Sequence, residues 1–126
     1  MTVPTILVVD DDDSIREITQ LSLEMVAGWR VVAADGGAAA LDLAHEHQPD
    51  AVLLDVMMPD VDGITTFRKL RDAESTKHIP VILLTAKMQV GERQLWDELD
   101  VAGVIAKPFD PMTLAAQVAQ LLSWDL

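Results

Sequence analysis

Five short apolar runs recur along the chain, and each is followed by a segment with the period of a helix. The runs are rich in Val, Ile and Leu and do not alternate with polar residues. This composition is typical of strands covered on both faces, as in a parallel sheet. The runs therefore predict five parallel strands: ILVV at 6–9, RVVAA at 30–34, AVLLDV at 51–56, VILLT at 81–85 and GVIA at 103–106.

The first predicted helix follows an acidic stretch. Asp13 or Ser14 is its expected N-cap, because short polar side chains accept hydrogen bonds from free N–H groups of the first turn, and Gly28 ends it. Residues at steps of three and four predict its buried side: Ile15, Ile18, Ser22 and Met25.

The same period predicts the other helices. An Ala-rich helix ends at Pro49, and a short helix near 65–71 turns Phe67 and Leu70 inward. A fourth helix covers 90–99. The fifth has an aspartate N-cap followed by a proline and runs from Asp110 to about Leu122.

The order of these elements restricts the topology. A strand and a helix repeat five times, and right-handed crossovers between parallel strands lead to a doubly wound open sheet. Five strands favour the flavodoxin-like (βα)5 arrangement of the α/β class, with the strand order 2-1-3-4-5.

Length and composition fit one soluble domain over residues 1–126, in which half of the residues are apolar. The chain has no cysteine, so disulfides, thiol nucleophiles and zinc–thiolate sites are excluded. Its formal charge of −12 repels phosphate backbones and anionic lipid, so no direct nucleic-acid or membrane partner is expected. The start MTVPTILVVDD has no features of a signal peptide, and we expect a cytoplasmic protein.

Polar side chains stand where the predicted strands end. Ligands of a doubly wound sheet bind beyond the carboxyl ends of its strands, beside the switch point between strands 1 and 3. Strand 1 ends in Asp10 and Asp11, strand 3 in Asp55, strand 4 in Thr85 and strand 5 in Lys107. Four distant segments are therefore expected to meet at one rim.

Carboxylates gathered at this rim need a compensating charge. Either some are protonated or a hard divalent cation lies between them, and all-oxygen ligands favour Mg²⁺ or Mn²⁺. The Thr85 hydroxyl, the Lys107 ammonium group and the cation could together surround the oxygens of a phosphoryl group in transfer. Asp55 would be the nucleophile, because an ionised carboxylate needs no general base to form an aspartyl phosphate.

These residues resemble the receiver domain of two-component response regulators, over essentially the whole chain. VVDD resembles the acidic pair of the family, which implies Asp11 as a direct metal ligand and Asp10 acting through water or orienting it. LLDVMMPDVDG resembles the phosphorylation motif, which implies Asp55 as the phospho-acceptor and the backbone carbonyl of Met57 as a metal ligand.

The later motifs follow in the order of the family, with one departure. LLTA implies Thr85 as the switch hydroxyl with the small residue Ala86 beside it, and KPF implies Lys107 as the phosphate-binding lysine, whose bond to Pro108 is usually cis. Many receivers carry Tyr or Phe where this chain has Val104, so the usual rotation of an aromatic ring cannot operate.

The resemblance implies a regulatory phospho-acceptor and not an enzyme acting on other substrates. Its phosphoryl donor would be a histidine kinase or a histidine phosphotransfer domain, and its downstream protein target would meet the fourth helix, fifth strand and fifth helix. Met57 and Lys87 flank the site and are expected to influence how fast water removes the phosphoryl group. If Leu126 ends the natural protein, output is expected through protein contact or onward phosphoryl transfer.

Two other functions remain open from the residues. A small Mg²⁺-dependent phosphatase resembling the haloacid dehalogenase group would use Asp11 and Asp13, and would leave Asp55 without a role. A degenerate adaptor would keep the fold without phosphorylation, and Val104 is its only support. Asp12 and Asp13 are also explained by a solvated turn and helix cap, and the three histidines by surface positions: His45, His47 and His78.

Overall fold

The computed structural model describes residues 3–56, 63–85 and 101–124, in which strands and helices alternate. The elements in chain order are β1 (Thr5–Val9), α1 (Asp13–Ala27), β2 (Arg30–Ala34), α2 (Gly37–His47), β3 (Ala51–Asp55), α3 (Gly63–Asp72), β4 (Val81–Thr85), β5 (Gly103–Ala106) and α4 (Leu114–Leu122). Helix α4 is the fifth helix predicted from the sequence, because the one predicted over 90–99 lies outside the described residues.

The five strands form one sheet in the order β2-β1-β3-β4-β5, and every neighbouring pair is parallel. This confirms the predicted flavodoxin-like fold. The register pairs Asp55 with Leu84 and Thr85 with Ala106. The carboxyl ends of the strands therefore lie along one edge of the sheet, as the position of the polar residues required.

Each face of the sheet has its own core, because successive side chains of a strand point to opposite faces. A fully buried leucine contributes about 1.5–3 kcal/mol, so both layers stabilise the sheet. The core under α2 and α3 includes Leu7, Val9, Val52, Leu54, Leu83, Phe67 and Leu70. The core under α1 and α4 includes Ile6, Val8, Leu53, Ile82, Leu84, Leu23, Leu114 and Val118.

Helix α1 has Asp12 as its N-cap, so the expected caps Asp13 and Ser14 were wrong. The Asp12 carboxylate accepts hydrogen bonds from the backbone N–H groups of Ser14 at 2.9 Å and Ile15 at 3.1 Å. Because that carboxylate already satisfies both groups, the helix begins at Asp13. Gly28 ends the helix as predicted, with a φ of 72° that glycine adopts without steric strain.

The buried side of α1 is only partly the predicted one. Ser22 is buried as expected, together with Thr19 and Leu23. Ile18 is 48% exposed and Met25 is 80% exposed, so the prediction was wrong for these two residues.

Hydrogen bonds explain why polar side chains take the buried side of α1. The Thr19 hydroxyl donates to the carbonyl oxygen of Ile15 at 2.7 Å, and the Ser22 hydroxyl donates to the carbonyl oxygen of Pro111. A satisfied hydroxyl can be buried at little cost, whereas hydropathy alone assigns it to the surface.

The other described helices follow the prediction except at one start. Helix α3 buries Phe67 and Leu70, and α2 ends shortly before Pro49. Helix α4 begins at Leu114 and not after the predicted cap, Asp110, whose carboxylate instead accepts the Met112 N–H at 2.9 Å in a preceding turn. Among the described residues, no helix has both the length and the apolar character needed to cross a bilayer.

Candidate functional site

Asp10 lies directly after β1 and is 1% exposed. Its backbone N–H donates to the Ala34 carbonyl at 3.1 Å, which continues the pairing of β1 with β2. Its Oδ1 accepts the backbone N–H of Asp12 at 2.9 Å, and its Oδ2 accepts the ammonium group of Lys107 at 2.9 Å. The buried carboxylate is therefore held at both oxygens.

Lys107 joins two strand ends that are distant in sequence. Its Nζ lies 2.9 Å from Oδ2 of Asp10 and 3.2 Å from Oδ1 of Asp55, which is also buried. Its backbone N–H donates to the carbonyl of Thr85 at 2.8 Å, which fixes the start of the side chain beside the end of β4. The rim predicted from the strand ends thus has one ammonium group between two buried carboxylates.

The surroundings of Lys107 affect its protonation. Burial of the ammonium group acts to lower the pKa of Lys107, but the hydrogen bond to Asp10 and the negative charges of Asp10 and Asp55 outweigh this, and the pKa is raised above its usual value. Lys107 is therefore positively charged at neutral pH, which its role as a counter-ion requires.

Asp10, Asp11 and Asp55 form an acidic cluster in which one oxygen of each carboxylate lies within 4.8 Å of the others. Magnesium binds oxygen at about 2.0–2.1 Å in an octahedron, so oxygens around one ion are roughly 3 to 4.2 Å apart. The limit of 4.8 Å is close to these separations, and the hard oxygen donors of the cluster suit this ion. The residues present therefore fit a single Mg²⁺ or Mn²⁺ ion.

The structure describes some of the remaining predicted site residues but not all of them. Thr85 is buried at the end of β4, on the strand next to the one that ends in Asp55. The bond between Lys107 and Pro108 is cis. Met57, with Ala86 and Lys87, lies outside the described residues.

Asp12 and Asp13 have structural contacts outside the acidic cluster. Asp12 caps α1, as described above. The Asp13 carboxylate is exposed and pairs with the guanidinium group of Arg16. The interpretation of these two acids as a turn and a cap is confirmed, and the three histidines are exposed as expected: His45, His47 and His78.

Sequence reasoning missed two residues that shape the rim. Gly63 starts α3, and its backbone N–H donates to the Val56 carbonyl at 3.0 Å, immediately after Asp55. The Arg16 guanidinium donates to the carbonyl of Asp10 at 2.8 Å. For Gly63, the sequence signal was its place as the glycine that ends a turn-rich stretch. For Arg16, the sequence contained no signal.

Val104 lies on β5 in register with Leu83 and is half-buried. It packs against the core under α2 and α3. The position where many receivers have an aromatic ring thus has a small branched side chain in contact with that core.

Comparison with known proteins decides the family. The model of the response regulator receiver domain matches residues 6–119. The chain belongs to this family. It is a receiver domain of two-component signalling, and the family is one of regulatory phospho-acceptor domains. Neither the phosphatase nor the degenerate adaptor is favoured by this match.

Relatives of this receiver domain are longer proteins. The DNA-binding dual master transcriptional regulator RpaA of Synechocystis sp. is 40% identical over 119 residues, which are 94% of this chain and 49% of that protein. The chain spans about half the length of the curated relatives it matches.

Solved structures agree with the fold. The chemotaxis response regulator CheY4 of Vibrio cholerae matches with a TM-score of 0.88 and 30% identity over 95% of this chain and 99% of that one. The receiver domain of the sensor histidine kinase PA1611 of Pseudomonas aeruginosa matches with a TM-score of 0.84 and 27% identity over 97% of this chain and 99% of that one. The PA1611 structure has a magnesium ion coordinated in its active-site cleft.

Proposed function

We propose that this receiver domain, as one unit over residues 1–126, accepts a phosphoryl group on Asp55 from a phosphohistidine. The donor is a histidine kinase or a histidine phosphotransfer domain in the cytoplasm. One observation carries the proposal: the Lys107 ammonium group lies 2.9 Å from the buried carboxylate of Asp10 and 3.2 Å from that of Asp55, beside the exposed carboxylate of Asp11. An ammonium group at this place is close enough to Asp55 to bind an oxygen of a phosphoryl group attached to that carboxylate.

The transfer requires little beyond positioning and charge. A carboxylate oxygen of Asp55 attacks phosphorus, the bond between phosphorus and the imidazole nitrogen of the donor breaks, and the electron pair leaves with the imidazole. The oxygens of the transferred group become the charge that must be stabilised. Lys107 would then bind one of these oxygens, and the Thr85 hydroxyl would donate to another.

The acidic cluster is the proposed binding site for Mg²⁺. Asp11 and Asp55 would bind it directly through their carboxylates, Asp10 would act through water, and the backbone carbonyl of Met57 would complete the protein ligands. When bound, the ion supplies positive charge for the phosphoryl oxygens. Lys107 is the shared counter-ion of two of the cluster's carboxylates, those of Asp10 and Asp55.

The proposed output is regulatory and not enzymatic. Phosphorylation would be read by a downstream protein at the surface formed by the region 90–99, β5 and α4. RpaA is named as a DNA-binding regulator, but a net charge of −12 argues against nucleic acid as a direct partner of this domain. Because this chain has Val104 where many receivers have Tyr or Phe, we propose that phosphorylation is signalled without the rotation of an aromatic ring.

Acetyl phosphate provides the direct test. The purified chain, incubated with Mg²⁺ and acetyl phosphate, should gain the mass of one phosphoryl group, and Asp55→Asn should gain none. Asp42→Asn, which neutralises an exposed aspartate on α2, is the matched control and should behave as the wild type. A phosphorylated Asp55→Asn chain, formed at the wild-type rate, would refute the assignment.

A second assay separates this function from the phosphatase. Turnover of a chromogenic phosphate ester that is lost in Asp11→Asn but retained in Asp55→Asn would support a phosphatase. The receiver proposal expects no such turnover in any of these proteins.

A further inference from the structure

Arg16 bridges the two ends of the turn between β1 and α1. Its Nη1 donates to the backbone carbonyl of Asp10 at 2.8 Å, and its Nη2 pairs with the carboxylate of Asp13. The Arg16 side chain is only 20% exposed. The planar guanidinium group can hold both acceptors at once, which an ammonium group cannot do in the same geometry.

The bond to Asp10 acts on its neighbour Asp11. The Asp10 carbonyl oxygen belongs to the same rigid peptide plane as the nitrogen and Cα of Asp11. Fixing that oxygen fixes the plane from which the Asp11 side chain projects. Asp11 itself is exposed, so packing does not hold its carboxylate in place.

The same turn is anchored from the other side by Asp10. The Asp10 N–H is bound to Ala34, and its carboxylate is bound to Asp12 and Lys107. Arg16 adds the contact to the one remaining polar group of that residue, its carbonyl oxygen. The position of Asp11 relative to Asp55 therefore depends on whether this peptide keeps its orientation.

We infer that Arg16 is a positioning residue of the phosphorylation site, which holds the Asp10–Asp11 peptide so that the Asp11 carboxylate faces the metal. The inference rests on the proposed function, because it assumes that the acidic cluster binds Mg²⁺. The side-chain contacts of Arg16 are to the carbonyl oxygen of Asp10 and the carboxylate of Asp13, and not to a carboxylate of the acidic cluster. Arg16 acts through the backbone.

The direction in which Mg²⁺ affinity changes when Arg16 is removed distinguishes a positioning role from an effect of its charge. A guanidinium group near the cluster repels a divalent cation, so its removal would strengthen Mg²⁺ binding if charge alone mattered. Loss of the clamp would weaken Mg²⁺ binding instead. Outer contacts of this kind commonly change metal affinity by about 10- to 100-fold.

Isothermal titration calorimetry with Mg²⁺ alone provides the measurement. Arg16→Met should bind Mg²⁺ on the order of tenfold more weakly than the wild type. Arg16→Lys can keep only one of the two contacts at a time, so it retains part of the clamp and should fall between Arg16→Met and the wild type, roughly threefold weaker than the wild type. At saturating Mg²⁺, the rate of phosphorylation by acetyl phosphate should return close to the wild-type rate in both variants.

Arg71→Met is the matched control. Arg71 also donates from its guanidinium group to a backbone carbonyl, that of Lys77 at 2.9 Å, and it stacks over the ring of Phe67. It lies at the far end of α3 from Gly63 and therefore away from the acidic cluster. This variant should lose thermal stability without a change in Mg²⁺ affinity.

The outcomes are separable. Unchanged or stronger Mg²⁺ binding by Arg16→Met, with normal binding by the wild type, would overturn the inference and leave the proposed function intact. A wild-type chain that neither binds Mg²⁺ nor is phosphorylated would overturn both. If Arg16→Met does not fold, Arg16→Lys provides the test. Mg²⁺ binding by Arg16→Lys as strong as that of the wild type would equally overturn the positioning role of Arg16.

Discussion

A Cβ atom added to Gly63 would lie 2.4 Å from the backbone carbonyl oxygen of Asp55. It would also lie 2.6 Å from Cα of Val56. Both neighbours are backbone atoms, which cannot rotate away as the end of a flexible side chain can. The start of α3 and the end of β3 are thus in contact at the residue that we propose accepts the phosphoryl group.

Gly63→Ala should therefore displace the end of β3. We expect the free energy of unfolding to fall by about 1–3 kcal/mol, as for other overpacked sites, and Mg²⁺ affinity to fall because Asp55 moves. Urea denaturation and calorimetry measure the two effects. Gly36→Ala is the control, because a Cβ there meets no atom within 4 Å; it should leave Mg²⁺ affinity unchanged, and since Gly36 is the N-cap of α2 it should cost at most about 1 kcal/mol.

Lys107→Met should destabilise the metal-free protein. The substitution leaves Asp10 and Asp55, which are buried, without their shared ammonium group. Breaking a buried ion pair in this way costs about 3 kcal/mol or more. Urea denaturation in EDTA measures the loss, and added Mg²⁺ should raise the melting temperature more in this variant than in the wild type. Equal stability of the two proteins in EDTA would show that the ammonium group contributes nothing to the fold.

The contribution of Lys107 should disappear at alkaline pH. Its pKa is raised in the folded protein, so the stabilisation is fully present below the pKa of an unfolded lysine, about 10.4, and is lost as the pH rises through the higher folded value. The difference in unfolding free energy between the wild type and Lys107→Met in EDTA should thus stay constant up to about pH 10 and shrink above it. A difference that is already lost near neutral pH would contradict this.

Two substitutions on α1 test which of its sides is buried. Leu23→Ala should cost about 2–5 kcal/mol, because Leu23 is fully buried in the core under α1 and α4. Met25→Ala should cost less than about 0.5 kcal/mol, because Met25 is 80% exposed. Thermal or urea denaturation measures both. Equal losses would mean that Met25 is packed in solution.

Most of the fold could be predicted because hydrophobic runs and the chirality of crossovers are local or general constraints. The five strands and their order follow from the apolar runs, and the rim follows from where those runs stop. The ion pairs of Lys107 with Asp10 and Asp55 could be anticipated for the same reason. The roles of Asp55 and Thr85 in phosphoryl transfer stay predictions until phosphorylation is measured.

The features that were missed depend on tertiary contacts. Thr19 was not predicted to be buried, and its hydroxyl donates to the carbonyl of Ile15. Ser22 was predicted to be buried, but periodicity does not report its hydrogen bond to the distant carbonyl of Pro111. Asp110 caps a short turn and not the helix that follows it. Its local sequence is equally compatible with either role. Arg16 reaches back to a carbonyl at the end of β1, so its importance appears only once the chain is folded.

The two separate cores of the sheet have a consequence for how such a domain can vary. Since Leu53 and Leu54 are consecutive yet face different helices, exchanges that repack one side need not be matched on the other. Substitutions without shared neighbours combine additively. The helices on either face can thus diversify independently of each other, while the sheet edge between them keeps a constant chemistry.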